Sequence, residues 1–394
     1  MAIKGIFTSD AGALGERPQS LSSTIYRESR GHGVPLFALS SGMETEDCDQ
    51  TMVSWYEEGI MHSRVLITTI ADPAANTFIV EDASWITENT IFLAENTGEH
   101  MIVLSITGNA VTVQRGIAGT GVQPINLGGG EFGIQMIGTA FEEGSERPTA
   151  VATSPYPRNN ITEIQRNAWD ITGTAQATTY RFGNRMSKNK GTAAMRHAEG
   201  MERSLIWGRL HNGVVNNKPH RQMNGMLAQL RSNFFVSPQG GLTRRALGDY
   251  VERLFSKNIE GMPNERITFT GNVAVRALNE IAFRYSEYNI ETMETQFGIK
   301  ISKFCTPFGD LTMMIHPMMN ENPVWAKEMY SLHPGAMKLC WLRRTDHKGE
   351  DSNGSASDLR DAKSGVYTSE LTCKYAIEQT GAVMSDIEVE HFVI

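Results

Sequence analysis

No run of about 18 or more apolar residues occurs in this 394-residue chain, so no membrane-spanning helix is expected. The first sixteen residues lack the charged start and apolar stretch of a secretion signal. Cysteine is scarce: Cys48, Cys305, Cys340 and Cys373 lie far apart and form no C-x-x-C pair. That spacing offers no zinc ligand set and suits buried, unreactive thiols in a reducing compartment. There is no G-K-[ST] tripeptide for a phosphate loop, no G-x-S-x-G elbow and no H-E-x-x-H motif. The glycines at Gly116, Gly119 and Gly121 follow a hairpin and precede no helix, so they read as a turn rather than a dinucleotide site. Ten histidines are scattered, and His316 and His333 precede prolines, where turn or core packing is the plain reading. The paired carboxylates Glu57-Glu58 and Glu142-Glu143 read as solvated surface, and Asp346 to Asp361 misses the calcium-loop spacing. No catalytic residue, cofactor or metal is expected.

What is present is an ordinary globular composition, 40% hydrophobic and 20% charged, long enough for two or three packed units. The net charge of −8 is unevenly spread: Arg181 to Arg231 holds ten Lys or Arg and two Glu, a local +8. An acidic body with one basic stretch suggests attraction between copies or contact with a polyanion; a solvated helix face is the competing reading.

Periodicity divides the chain. Residues 1 to about 60 read as an arm, with a short helix over Leu21 to Tyr26 and an extended apolar anchor at Val34-Pro35-Leu36-Phe37. From 64 to about 138 the period is two, over Val65-Leu66-Ile67, Thr77 to Val80, Ile91 to Leu93, Met101 to Leu104 and Ala110 to Val113. Gly108-Asn109 marks a hairpin, and the whole predicts a small all-β module. Thr162 to Tyr180 reads as two extended strands of a protruding hairpin-like loop. A helical stripe then runs through Ala193, His197, Met201 and Leu205, with Ser187 as N-cap and Gly213 as stop, nearly 40 Å long. Beyond 243 the pattern is α/β: helices after Thr243 and Asn272, strands at Ile267 to Thr270, Lys300 to Ser302 and Leu311 to Ile315. The polar stretch Lys348 to Lys363 reads as a surface loop, followed by strands at 366–372, 374–378 and 387–393.

Three passages in order resemble one family. They are Val34 to Leu39 with Ser54-Trp55-Tyr56-Glu57-Glu58; Val113-Gln114-Arg115-Gly116 with Ala140 to Ser145 and Arg147-Pro148; and Asn160 to Arg166 with Trp169 to Thr174 ahead of the long helix. Over about residues 20 to 232 the chain is similar to major capsid proteins of tailed bacteriophages with the Hong Kong 97-like fold, in the branch with a β-rich insertion. The resemblance implies an α+β fold: an N-terminal arm (1–60), a β insertion domain (61–140), an extended loop (141–186), a peripheral domain with a long spine helix (187–232), an axial α/β domain (233–364) and C-terminal strands returning to the peripheral domain (365–394). It implies a structural protein forming hexamers and pentamers of an icosahedral head around double-stranded DNA, assembled in the bacterial cytoplasm. Further copies, a portal protein, a scaffold protein, a decoration or cement protein, and DNA bound without sequence specificity are the implied partners; no membrane is. Expected assembly contacts are Phe37, Trp55, Arg158, Arg166, Trp169, Arg181 and Arg185, with Lys188 and Arg196 on the basic helix face. Local packing competes for each. A tail or baseplate protein is the alternative, and a hydrolase or glycan-binding module using the insertion a more distant one.

Overall fold

The computed structural model describes residues 44–60, 62–127, 132–180, 183–239, 241–285, 290–296, 299–349 and 361–389. The helix and anchor expected before 40, with Phe37 and Arg181, lie outside the described residues. The chain divides into two compact units, one of residues 55–158 and one of the described residues in 1–54 and 159–394.

The described chain begins with β1 (Glu44–Asp47) and β2 (Met52–Glu57). The 55–158 unit then closes a barrel from β3 (Arg64–Ile70), β4 (Thr77–Val80), β5 (Thr90–Ala94), β6 (His100–Thr107), β7 (Ala110–Ile117) and β8 (Phe132–Thr139), in the order β3-β4-β7-β6-β5-β8. Alternation is the cause: Phe78, Val80, Met101, Val103, Val111 and Val113 point inward and are nearly inaccessible. Closure leaves none of these six strands with an unpaired edge. Gly108, with φ 60°, forms the β6–β7 turn where the sequence predicts it.

A buried charge pair sits in the barrel wall. The Arg115 guanidinium meets the Glu99 carboxylate through Nε–Oε1 at 3.0 Å and Nη2–Oε2 at 2.6 Å, both side chains almost fully buried. Glu99 also accepts the backbone N–H of Gly116 at 3.1 Å and of Gln123 at 3.0 Å, while Arg115 Nη1 donates to Pro73 O at 2.9 Å. Burial pushes the Glu99 carboxyl up, but the Arg115 hydrogen bond, the Gln123 N–H, the Arg115 charge and the Gly116 N–H together hold it below its ordinary value.

The other unit holds β9 (Tyr156–Ile161), β10 (Glu163–Thr172), α1 (Gly173–Ala177), α2 (Arg185–Trp207), β11 (His211–Val215), β12 (Lys218–Gln222), α3 (Met226–Gln229) and β13 (Phe234–Val236). It continues with α4 (Arg244–Leu254), β14 (Glu265–Thr270), α5 (Asn272–Tyr285), β15 (Ile290–Gln296), β16 (Ile299–Thr306) and β17 (Gly309–Ile315). Its last strands are β18 (Met329–Leu332), β19 (Met337–Gly349), β20 (Ala362–Tyr375) and β21 (Ala382–Ser385). A four-stranded sheet runs β1-β19-β20-β10, a seven-stranded sheet β13-β21-β18-β14-β17-β16-β15, and two ribbons pair β2 with β9 and β11 with β12. One core joins α2 and α3 to β18, β19 and β20; a second joins α4 and α5 to residues of β16, β17, β18 and β21.

Several expectations are corrected. The two extended strands of a hairpin-like loop expected over Thr162 to Tyr180 are one strand, β10, followed by α1, and β10 pairs with β20 along ten residues. Helix α2 is capped by Asn184, whose side chain accepts from Met186 N and Ser187 N, not by Ser187. It stops at Gly208, well before Gly213, so its 23 residues span about 34 Å. A Cβ at position 208 would lie 2.4 Å from Ser204 O, which explains the glycine there. The strands expected at 366–372 and 374–378 are one strand, β20. Strand β20 joins the four-stranded sheet and β21 the seven-stranded one. Strand β19 pairs with β1 and β20.

Replacing Glu99 by Gln leaves Arg115 buried without its counter-charge, and the barrel is expected to lose about 3–5 kcal/mol. Hydrogen exchange of the Val103 and Val113 amides in the full chain reads that loss. In the parent protein the folded Glu99 pKa lies below the ordinary 4.5. Its stabilisation is therefore present above that value and is lost as pH falls through the folded value.

Candidate functional site

Strand β10 and helix α2 define the most elaborated surface of the 159–394 unit. Their sequences force them together: β10 buries Trp169 and Ile171, and α2 buries Ala193, His197, Met201 and Leu205, the stripe the periodicity predicts. Polar side chains fix the register. His197 reaches Asn167 Oδ1 at 3.0 Å through Nδ1 and Ser369 Oγ at 2.7 Å through Nε2, and burial lowers its pKa. Gln165 Nε2 donates to Ser204 Oγ at 2.9 Å, and Ser204 in turn donates to Glu163 Oε1 at 2.9 Å. Glu163 Oε2 accepts Met223 N–H at 3.2 Å. Burial pushes the Glu163 carboxyl up against these hydrogen bonds, which favour its charged form.

Glu370 on β20 is the second polar centre. Its nearly buried carboxylate takes Arg343 Nη2 at 2.7 Å and Nε at 2.8 Å on one oxygen, and Thr162 Oγ1 at 3.1 Å with Arg221 Nη2 at 3.4 Å on the other. Beside it, Asn160 Nδ2 donates to Asn224 O and Cys373 O, at 2.8 and 2.7 Å. A third centre is the fully buried pair of His316 Nε2 and Glu202 Oε1 at 2.8 Å. Trp207 and Phe269 meet the His316 ring edge-on, and Trp207 stacks on Trp325 at 4.2 Å.

The predicted contact residues fall in different places. Trp55 and Arg158 come together on Glu57: Trp55 Nε1 donates to Oε1 at 2.8 Å, and Arg158 Nε lies 3.5 Å from Oε2. Glu57 is thereby buried, against its reading as a solvated carboxylate. Trp169 is 5% exposed, donates to His347 Nε2 at 2.9 Å and carries Lys190 Nζ 4.8 Å above its ring. Gly365 lies opposite Trp169, and a Cβ there would sit 2.8 Å from the indole nitrogen. Arg185 stacks over Tyr180 at 5.2 Å. Arg166 and Arg196 are exposed and Lys188 is half-buried. The structure thus groups Trp55 with Arg158, and spreads Arg185, Lys188 and Arg196 along α2, with Arg166 on β10.

Cys340 and Cys373 are buried, and burial pushes their thiols up to about 11 and about 12. His333 is buried and lowered to about 4, with its Nε2 on Asn258 at 3.0 Å. Sequence reading missed Glu163, Glu202 and Glu370; the one signal for them is a lone carboxylate inside an otherwise apolar or alternating segment. Chemically, most of the hydrogen bonds of these groups run between one another and the neighbouring backbone. What remains outward is a basic helix face and strand edges, a surface suited to binding.

Trp169→Ala removes a large buried side chain and is expected to cost about 3–5 kcal/mol. Gly365→Val, which drives a side chain into the same space, should also destabilise. Both are read as a lowered denaturation midpoint.

A family model described as the SU10 major capsid protein matches residues 6–388. The major capsid protein of Pseudomonas phage PaMx41 is 25% identical over 404 residues, covering 98% of this chain and 96% of that one. Among solved structures, the capsid of cyanophage P-SCSP1u is similar with a TM-score of 0.49 at 8% identity, covering 98% of this chain and 99% of that one. A chain from Microbacterium phage Oxtober96 is similar with a TM-score of 0.48 at 9% identity, covering 93% and 95%.

Proposed function

We propose that this chain, which belongs to the SU10 major capsid protein family, closes with its own copies into hexamers and pentamers of an icosahedral head enclosing double-stranded DNA. The observation that carries the reading is a family match running through both compact units. Within a Hong Kong 97-like plan, β10, α2, β19 and β20 take the role of the peripheral domain with its spine helix. The seven-stranded sheet with α4 and α5 takes that of the axial domain. The barrel is the insertion, and the β2–β9 ribbon that brackets it in sequence takes the role assigned above to 141–186.

Assembly then proceeds by many weak, repeated, heterologous contacts that close into rings, and rings that close into a shell. Strand β10 is paired on one side alone among the described residues, as is β1, and each edge can accept a strand from a neighbour. The basic face of α2, with Arg185, Lys188 and Arg196, meets packaged DNA or an acidic neighbour. A portal and a scaffold protein are the partners proposed for such a shell, with a decoration protein as an optional addition.

Negative-stain microscopy of the purified chain, alone and with its scaffold, is expected to show closed shells or rings of five and six. A monodisperse monomer under both conditions would overturn the proposal. Charge reversal at Lys188 and Arg196 is expected to lower shell yield or DNA retention. If neither changes, the helix face has no such role.

A further inference from the structure

We propose that the β11–β12 hairpin of one copy docks on an apolar stripe of the barrel of a second copy. The inference rests on the shell-forming reading above. Both faces of this ribbon are open to solvent, and Val214 is 70% exposed and Leu210 54%. Its turn residues Asn216 and Asn217 have φ of 52° and 58°, the geometry of a tight two-residue hairpin. Arg221 at its base reaches Glu370 at 3.4 Å. A two-stranded ribbon with no third strand or covering helix is marginal in water. From Arg203 to Arg231 the chain holds five Lys or Arg and no Asp or Glu, and Arg209 and Lys218 are exposed beside the apolar residues.

The barrel unit has the opposite character. Residues 55–158 hold twelve carboxylates, four arginines and no lysine, a net charge of −8. At two register shifts an apolar side chain stands outward. The β6–β7 pairing skips Leu104 and the β5–β8 pairing skips Ile137, which are 52% and 54% exposed. Between them Ile91 and Ile102 lie directly opposite each other on β5 and β6, both half-buried. Strands β8, β5 and β6 are adjacent, about 4.8 Å apart, so these four residues form one stripe. Asn89 N–H donates to Val103 O at 2.9 Å and Ala140 N–H to Asn89 O at 3.0 Å. Those bonds bring Glu88, and the segment leading to Glu142 and Glu143, to the Leu104 end; all three carboxylates are exposed.

The two surfaces therefore match twice, valine and leucine against isoleucine and leucine, and lysine and arginine against glutamate. DNA suits the hairpin's charge but not its valines. A separate decoration protein suits the stripe but leaves the hairpin uncovered. A second copy covers both.

Shells assembled from an equal mixture of light and heavy-isotope subunits, treated with a zero-length carbodiimide, test the contact by mass spectrometry. Lys218 is expected to be joined to Glu88, Glu142 or Glu143 in light–heavy pairs. Lys218 joined to carboxylates outside 55–158 alone, or to none, overturns the proposal. The double substitution Val214→Ser with Lys218→Glu is expected to leave the circular dichroism and melting of the monomer unchanged and to lower shell yield about tenfold. Adding Glu142→Lys and Glu143→Lys should restore much of that yield. An undiminished yield, or a loss that the barrel substitutions do not reverse, assigns the hairpin elsewhere. If the unmodified chain forms no shells with or without scaffold, the shell-forming reading itself fails.

Discussion

A buried carboxylate must be matched by donors, and Glu370 is where that demand organises the 159–394 unit. Its donors come from Thr162, 208 residues earlier, from Arg221 and from Arg343. Removing any one leaves charge in a place with little water to take it up. The neighbouring Asn160 imposes the same demand on the backbone of residues 224 and 373, and Glu163 on Ser204 and Met223. Strand β10, helix α2, the segment after it and strand β20 are thus bound by a polar seam as much as by the apolar core behind it.

The barrel answers a different problem. Its strands are short and its interior small, so closing the sheet removes both edges and leaves one buried ion pair, Glu99 with Arg115, to hold the loops around 73 and 123. Carboxylate excess then accumulates on its exterior. The remaining residues of the chain, basic ones included, balance to zero net charge. The charge asymmetry thus lies between the 55–158 unit and the rest of the chain.

Much of the fold is legible before any coordinates. The period-two runs of the barrel, the Gly108 turn, the Ala193–Leu205 stripe and the Thr243 cap follow from local sequence, because each is a short-range consequence of side-chain alternation or capping. Partner choice is not local. That β10 pairs with β20 rather than with β9 depends on residues far downstream, and no periodicity in β10 encodes it. Extending the helix to Gly213 hides the hairpin signal Val214-Val215-Asn216-Asn217, since a basic, partly polar run fits either reading. The carboxylate centres are invisible for the same reason: Glu57 and Glu58 are identical letters, and tertiary partners alone bury the first and leave the second exposed.

The pairing of Thr172 with Ala362 and of Glu163 with Leu371 has a temporal side. The barrel segment is contiguous, so all its strands have left the ribosome while β10 still lacks its partner. Strand β10 must wait through the synthesis of five helices, α1 to α5, and most of the seven-stranded sheet before β20 emerges. During that interval one side of β10 and the face of α2 remain unfinished, and β21 is missing from between β13 and β18. A nascent chain therefore has a finished barrel while the 159–394 unit is still incomplete. The 159–394 unit is completed by the last strands to be translated, β20 and β21.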